Sequence, residues 1–458
     1  MMKRPTIKKL LASILTATLL SAQTSTAAFA ATDAQAGWGA KMGAEYLIAQ
    51  QLPNGGYPAI LGGEADWAAI ALAAAGYDPN EVKNGSTSLV DFITADPLND
   101  ETDVARRILA AAAIGFDNDA FTGINFGEQL YALYDGTQIG DPGVLSDDMF
   151  GIMAAAVLID NPAQTQKDEL AAMARASLSY LLSYQESDGG FSYTTAECPD
   201  WCGSSTDMTA AAIIAMQAGA AHGFADPNDA DFVSALDKAK NYLLQAQDPE
   251  GGFLMAVGSV WPADGLTTSW ALMALNTLDP SNETVQTAKN AARSWLLARQ
   301  NADGGFDGWT CGASDVIITA HAVPALLGTT WLLSPAPITI PDAAPDEMPT
   351  HIDCPAPAPT PTEPEEPKPQ PINTTTPTPV ATTDTSTNTQ PESEPQILSA
   401  TPAEESSEGQ PEKTDAEDIK EVIPISEEAK SSIKYVIYAI IALSLIGFGW
   451  FLFRPQKG

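Results

Sequence analysis

The sequence predicts an all-α fold: an (α/α)6 toroid of about six helical hairpins, then a disordered Pro/Thr/Glu-rich stalk and one transmembrane helix. Three observations carry this. A helix-then-turn segment recurs four times, alanine-dense stretches follow such turns, and composition changes sharply near Ser334. Self-similarity at a fixed spacing marks a repeat architecture, and alanine-dense helices suit close packing on most sides.

The chain begins with Lys3, Arg4, Lys8 and Lys9, then an apolar run from Leu10 to about Leu20, then Ala28-Phe29-Ala30. That order of charge, apolar core and small-x-small site reads as a signal peptide over residues 1–30. The globular part is expected over residues 31–333.

The repeated segments are Tyr46–Tyr57, Tyr180–Phe191, Tyr242–Phe253 and Trp295–Phe306. Each has an aromatic residue, aliphatic residues, a glutamine five places on, then Gly-Gly-aromatic. The anchors are Gln51 with Gly55 and Gly56, Gln185 with Gly189 and Gly190, Gln247 with Gly251 and Gly252, and Gln300 with Gly304 and Gly305. A helix should end near each glutamine, the glycines should reverse the chain, and the glutamine amide should bond to the turn. Spacings of 62 and 53 separate the last three glutamines, and the 134 before them leaves room for two degenerate units. A second helix is expected after each turn, beginning near Asp66, Asp103, Asp147, Thr206, Thr268 and Asp315. An Asp or Thr there suits an N-cap and the positive end of the helix dipole. The first and last units both keep the motif and neither looks like a polar cap, so a ring is expected to close.

From residue 334 to 433 aromatic residues vanish, and 20 of the chain's 34 prolines lie between Pro335 and Pro424. So little apolar surface does not offset the entropy of ordering, and the segment is expected to stay disordered. Tyr435–Phe453 is uncharged, and at 1.5 Å per residue it spans roughly 28 Å, close to a bilayer's hydrocarbon thickness. A membrane helix is therefore expected over 434–453. Arg454 and Lys457 favour a cytoplasmic tail at 454–458, which leaves the globular domain outside a cell membrane crossed once.

The formal charge of −36 repels nucleic acid, so no nucleic-acid partner is expected. Between Ala31 and Leu333 there are 38 acidic and 11 basic residues, a balance of −27. The four cysteines, Cys198, Cys202, Cys311 and Cys354, are too few for a disulfide scaffold. Outside the cell they are disulfide candidates, with three pairings open. Asp226, Asn228, Asp229 and Asp231 lack the EF-hand pattern and read as a helix-capping loop.

The Gln-x3-Gly-Gly-aromatic copies resemble the prenyltransferase and squalene-cyclase repeat superfamily, with a likeness to transcobalamin-type domains, over roughly Gly37 to Leu333. The resemblance implies an α/α-toroid and does not fix an activity. Triterpene cyclases of this kind carry an acidic D-x-D-D motif, which neither Glu64-Ala65-Asp66 nor Ser146-Asp147-Asp148 completes. Protein prenyltransferase subunits hold zinc on an Asp-x-Cys pair and a later histidine. Asp200, Cys202 and His321 match that set in part, with Ile318 at the expected histidine position. Thioester domains need a cysteine that is missing before Gly127-Glu128-Gln129. No cofactor is expected.

The reading that results is a surface-displayed toroid binding a small polar ligand, glycan or peptide of the envelope at its ring mouth. Asp66, Trp67, Asp103, Asp147, Asp148, Asp207, Trp270, Asp315 and His321 are the candidate binding residues. An exported cyclase- or prenyltransferase-like enzyme and a structural spacer stand as alternatives.

Overall fold

A computed structural model describes residues 30–352, apart from 59–61, 99–100, 117–120, 122, 197–202, 308–311 and 334–337. The expected leader up to residue 29, the four cysteines, Asp200, most of the stalk and the expected membrane helix lie outside the described residues.

Twelve helices are described: α1 (Asp33–Gln50), α2 (Glu64–Ala74), α3 (Leu89–Ala95), α4 (Glu101–Ile114), α5 (Phe126–Ala132), α6 (Leu145–Asp160), α7 (Lys167–Ser183), α8 (Thr206–Ala221), α9 (Ala230–Gln245), α10 (Gly265–Thr277), α11 (Glu283–Leu297) and α12 (Val316–Leu326). Even-numbered helices form an inner ring. Each packs on the next, and α12 packs on α2. Odd-numbered helices lie outside them, and α1 packs against α12 and α11, so the first helix closes the ring.

Burial explains which helix goes where. Every residue of α12 is buried, and Ala154–Ala156 of α6 and Ala210–Ala212 of α8 are sealed from water. Small side chains let such helices approach on several sides. Outer α9 instead buries Phe232, Ala235, Ala239, Tyr242 and Leu243, a single helical stripe.

At each repeat turn the two glycines serve different needs. Gly55, Gly189, Gly251 and Gly304 have φ of 89°, 92°, 103° and 91°, a region costly for other residues. A Cβ on Gly56, Gly190, Gly252 or Gly305 would come within 2.4–2.5 Å of Phe92, Ser204, Trp295 or Ser314. The glutamine amide then ties the turn to the next outer helix. Gln185 Nε2 donates to Gly189 O at 2.9 Å and to Ala235 O of α9 at 2.8 Å. Gln247 does the same with Gly251 O and Ala288 O of α11, at 2.9 and 2.8 Å. Gln300 bonds Gly304 O at 2.8 Å and reaches Gly39 O of α1 at 2.7 Å, which staples the ring shut.

Two expectations are corrected. Thr268 does not begin its helix: α10 starts at Gly265, capped by Asp264. Thr268 is the fourth residue, and its Oγ1 accepts the Phe253 N–H at 2.9 Å. Thr209 and Thr319 serve Phe191 and Phe306 in the same way, at 2.9 and 3.0 Å. Asp66, Asp103 and Asp147 are likewise not N-caps. They sit inside the first turn, with Gly63 and Val144 in the cap positions of α2 and α6. The domain also runs past residue 333. Ile338 N–H donates to Leu327 O at 2.8 Å, Gln35 Nε2 to Glu347 O at 2.7 Å, and Ile352 N–H to Ala298 O at 2.8 Å. Ile338, Ile340 and Met348 supply apolar anchors that the proline content masked. Short two-residue ribbons, β1 (Lys83–Asn84) with β2 (Thr87–Ser88) and β3 (Phe306–Asp307) with β4 (Ser314–Asp315), appear where extended turns meet.

Candidate functional site at the ring mouth

The mouth is the end where the inner helices begin, because each Gly-Gly turn delivers the chain there. Its acidic residues are mostly engaged within the fold. Asp66 is 1 % exposed and accepts from Arg107 Nε at 2.7 Å and Arg106 Nε at 3.3 Å. Arg106 also pairs with Asp103, and Arg107 donates to the Asp96 carbonyl at 3.2 Å. Burial pushes the Asp66 carboxyl up, and the Arg107 and Arg106 guanidinium groups oppose that push. The cluster needs Gly63, whose φ is 75° and whose missing Cβ would strike the Arg106 guanidinium.

Asp147 ties two hairpins together. Its carboxylate accepts from Thr102 Oγ1 of α4 at 2.6 Å and from Asp141 N–H at 3.1 Å. Asp148 is fully buried and turned away from the mouth. It accepts the Ile139 N–H at 3.0 Å and lies beside Ser177 of α7, and burial pushes its carboxyl up to about 7. Asp315 caps α12 through the Ile318 N–H at 3.0 Å. Asp207 is half-buried in the first turn of α8 and accepts the Met208 N–H at 2.9 Å.

Below this rim the ring is filled with aromatic side chains. Trp67, Phe150, Trp270, His321 and Trp331 meet with centroids 4.8–5.9 Å apart. Trp331 enters from beyond the end of α12, and its Nε1–H donates to His321 Nδ1 at 3.0 Å. That bond places the imidazole proton on Nε2. Burial holds His321 down to about 3, so it stays neutral. Asp200 and Cys202, which with it match the zinc set only in part, lie outside the described residues. The predicted binding residues Trp67, Trp270 and His321 are thus brought together, as a packed floor. Asp66 and Asp148 are not open to the mouth.

Phe150, Trp331, Arg106, Arg107 and Asp264 were not anticipated. Twin arginines midway along an alanine-rich helix, and a tryptophan just past Gly328, are visible in the sequence, but neither names its partner there. A groove of about 500 Å3, lined by Phe116, Phe121, Phe126 and Leu158, lies at the opposite end of the ring.

Comparison with known proteins agrees with this architecture. The family model of the prenyltransferase alpha-alpha toroid domain matches residues 99–316 and 264–330. Over 151 residues the chain is 33 % identical to a drimenyl diphosphate synthase from Streptomyces showdoensis, covering 32 % of this chain and 25 % of that protein. The chain therefore spans about a quarter of the length of the curated relative it matches. An unsaturated glucuronyl hydrolase from Bacillus sp. GL1 superposes with a TM-score of 0.50 at 14 % identity, covering 65 % of this chain and 96 % of that one. A type II terpene cyclase from Scytonema has a TM-score of 0.44 at 15 % identity, covering 65 % and 98 %. The likeness to the hydrolase is a likeness of fold alone.

Proposed function

This chain belongs to the prenyltransferase alpha-alpha toroid family, and from that premise we propose that it is a ligand-binding toroid displayed outside the cell. It takes a small polar ligand, glycan or peptide at the ring mouth, and the C-terminal segment anchors it to the membrane. The fold alone does not set an activity, so the reading rests on the site. The observation that carries it is the packed floor. With five rings 4.8–5.9 Å apart, the ring centre has no room between them for an enclosed substrate. A ligand is met at the rim instead. Support also comes from the acids: Asp66 and Asp147 are taken up in holding hairpins together.

Native mass spectrometry of the purified full chain, after exposure to an envelope extract, tests this. A retained non-covalent adduct is expected. A chain that emerges with none overturns the reading.

A second reading is an exported cyclase-like enzyme. The match to a drimenyl diphosphate synthase favours it, and so does Asp148, since a carboxyl raised to about 7 holds the proton a general acid needs. Against it stands the direction of that carboxyl, toward Ile139 and α7. Incubation with prenyl diphosphates decides between the two. Unchanged substrate keeps the binding reading, and a cyclised product replaces it.

A further inference from the structure

Four large apolar side chains stand in water within one short stretch beside the mouth. Met255 is 45 % exposed, Val257 42 %, Val260 93 % and Trp261 67 %. One such residue is ordinary on a surface, whereas a contiguous group this open marks a contact site.

The stretch is held in place. Thr206, which opens α8, donates its N–H to Met255 O at 2.8 Å and its Oγ1–H to Leu254 O at 2.6 Å. The Val257 N–H reaches the Tyr242 hydroxyl at 3.4 Å, and the Trp261 N–H reaches Ser259 Oγ at 3.1 Å. A surface ordered in advance loses less entropy when a partner arrives.

Its neighbours are carboxylates. Asp207 follows Thr206 directly, and Asp264 caps the next inner helix. The Tyr242 hydroxyl that meets Val257 donates to Ser204 O at 2.7 Å, and Ser204 Oγ–H donates to the Asp188 carboxylate at 2.7 Å, so Asp188 lies close to the same loop. Among the described residues no ion pair with a lysine or arginine engages Asp188, Asp207 or Asp264. Asp188 and Asp207 thus place negative charge beside this apolar face. An anionic partner, an anionic lipid surface and a second copy of this acidic chain are all repelled by it.

We propose that the loop from Met255 to Trp261, with Asp207 and Asp188 beside it, docks a cationic amphipathic peptide segment. The partner's apolar side chains cover Val257, Val260 and Trp261, and its ammonium or guanidinium groups meet the carboxylates. Trp261 adds a ring face on which a cation can sit. The proposal rests on the mouth-binding reading and names its ligand class.

Surface plasmon resonance on the immobilised full chain tests it, with a synthetic Lys/Leu amphipathic peptide as probe. Controls are a Gln/Leu peptide, an all-Lys peptide and zwitterionic lipid vesicles. The Lys/Leu peptide should bind best and weaken with added salt. The paired change V260S and W261S should weaken it about tenfold or more, and Asp207→Asn about threefold with a shallower salt dependence. Both changes are at exposed or half-buried positions, so unchanged thermal unfolding is expected alongside. Equal binding of Lys/Leu and Gln/Leu peptides, stronger capture of vesicles, or equal binding to the V260S and W261S variant overturns the proposal. In the envelope-extract experiment, an adduct undiminished by V260S and W261S overturns this surface and keeps the mouth reading. No adduct on the unmodified chain overturns the mouth reading itself.

Discussion

Asp148 keeps a proton in the folded chain that the unfolded chain would release. Its carboxyl rises from the ordinary 3.8 to about 7, so across that window the native state binds more protons than the unfolded one. Stability must then fall as pH climbs from 3.8 through about 7. Asparagine keeps an acceptor for the Ile139 amide and carries no charge. Asp148→Asn should therefore raise the unfolding midpoint by about 3 °C or more at pH 8 and change little below about pH 3.5, where both states are protonated, read by circular dichroism. His321 works with the opposite sign. It falls from the ordinary 6.5 to about 3, so the unfolded state takes up a proton first and stability drops as pH falls below 6.5. Between 3.8 and 6.5 the two slopes oppose each other. His321→Phe should flatten the acid side of the profile. It should also cost about 1–3 kcal/mol at neutral pH, because the buried Trp331 Nε1–H loses its acceptor.

Among the elements, the glutamine staples give an internally controlled comparison. Gln247 Nε2 binds two carbonyls at 2.9 and 2.8 Å. Gln51 binds Gly55 O at 2.8 Å but meets Val82 O only at 3.5 Å. Gln247→Ala should cost about 1–3 kcal/mol, and Gln51→Ala measurably less, by urea unfolding. A reversed order would sink the view that the second bond, to the neighbouring hairpin, is what stabilises the repeat. These staples were legible in the sequence because a reversal after a helix is a local matter. Glycine spacing and one amide side chain announce it without reference to the rest of the chain. Helix starts were less legible. An aspartate within the first turn resembles a cap in sequence, and only Gly63 and Val144 in place show that Asp66 and Asp147 do other work. The Arg106 and Arg107 cluster was hidden because its partner Asp66 belongs to another hairpin, 40 and 41 positions away. Trp331 escaped because it follows the last helix, outside any periodic stretch, although it fills the floor.

For the whole molecule, ring closure removes the terminal repeats at which an open solenoid begins to unravel. Both ends of the described chain fasten to the same outer helix corner. The Ala31 N–H donates to Ser294 Oγ at 2.9 Å, and the Ile352 N–H to Ala298 O at 2.8 Å, one helical turn apart on α11 and its cap. The termini of the ring are therefore neighbours, and chain order matters less than the set of packed faces. A circular permutant makes this testable. Joining Ile352 to Ala31 through a short Gly-Ser linker and opening the exposed loop at Asn228 leaves all twelve helices and every glutamine staple intact. Among the described residues the bonds directly at risk are those of the Asp226 to Asp229 capping loop, worth about 1–2 kcal/mol. The permutant should fold and unfold in one cooperative calorimetric transition, with a midpoint within about 5 °C of the parent. Two separated transitions, or loss of the folded state, would mean that α1 and α11 do not close the ring as a unit. In that case the Gln300 bond to Gly39 would be a contact at a seam, with no part in holding the toroid shut.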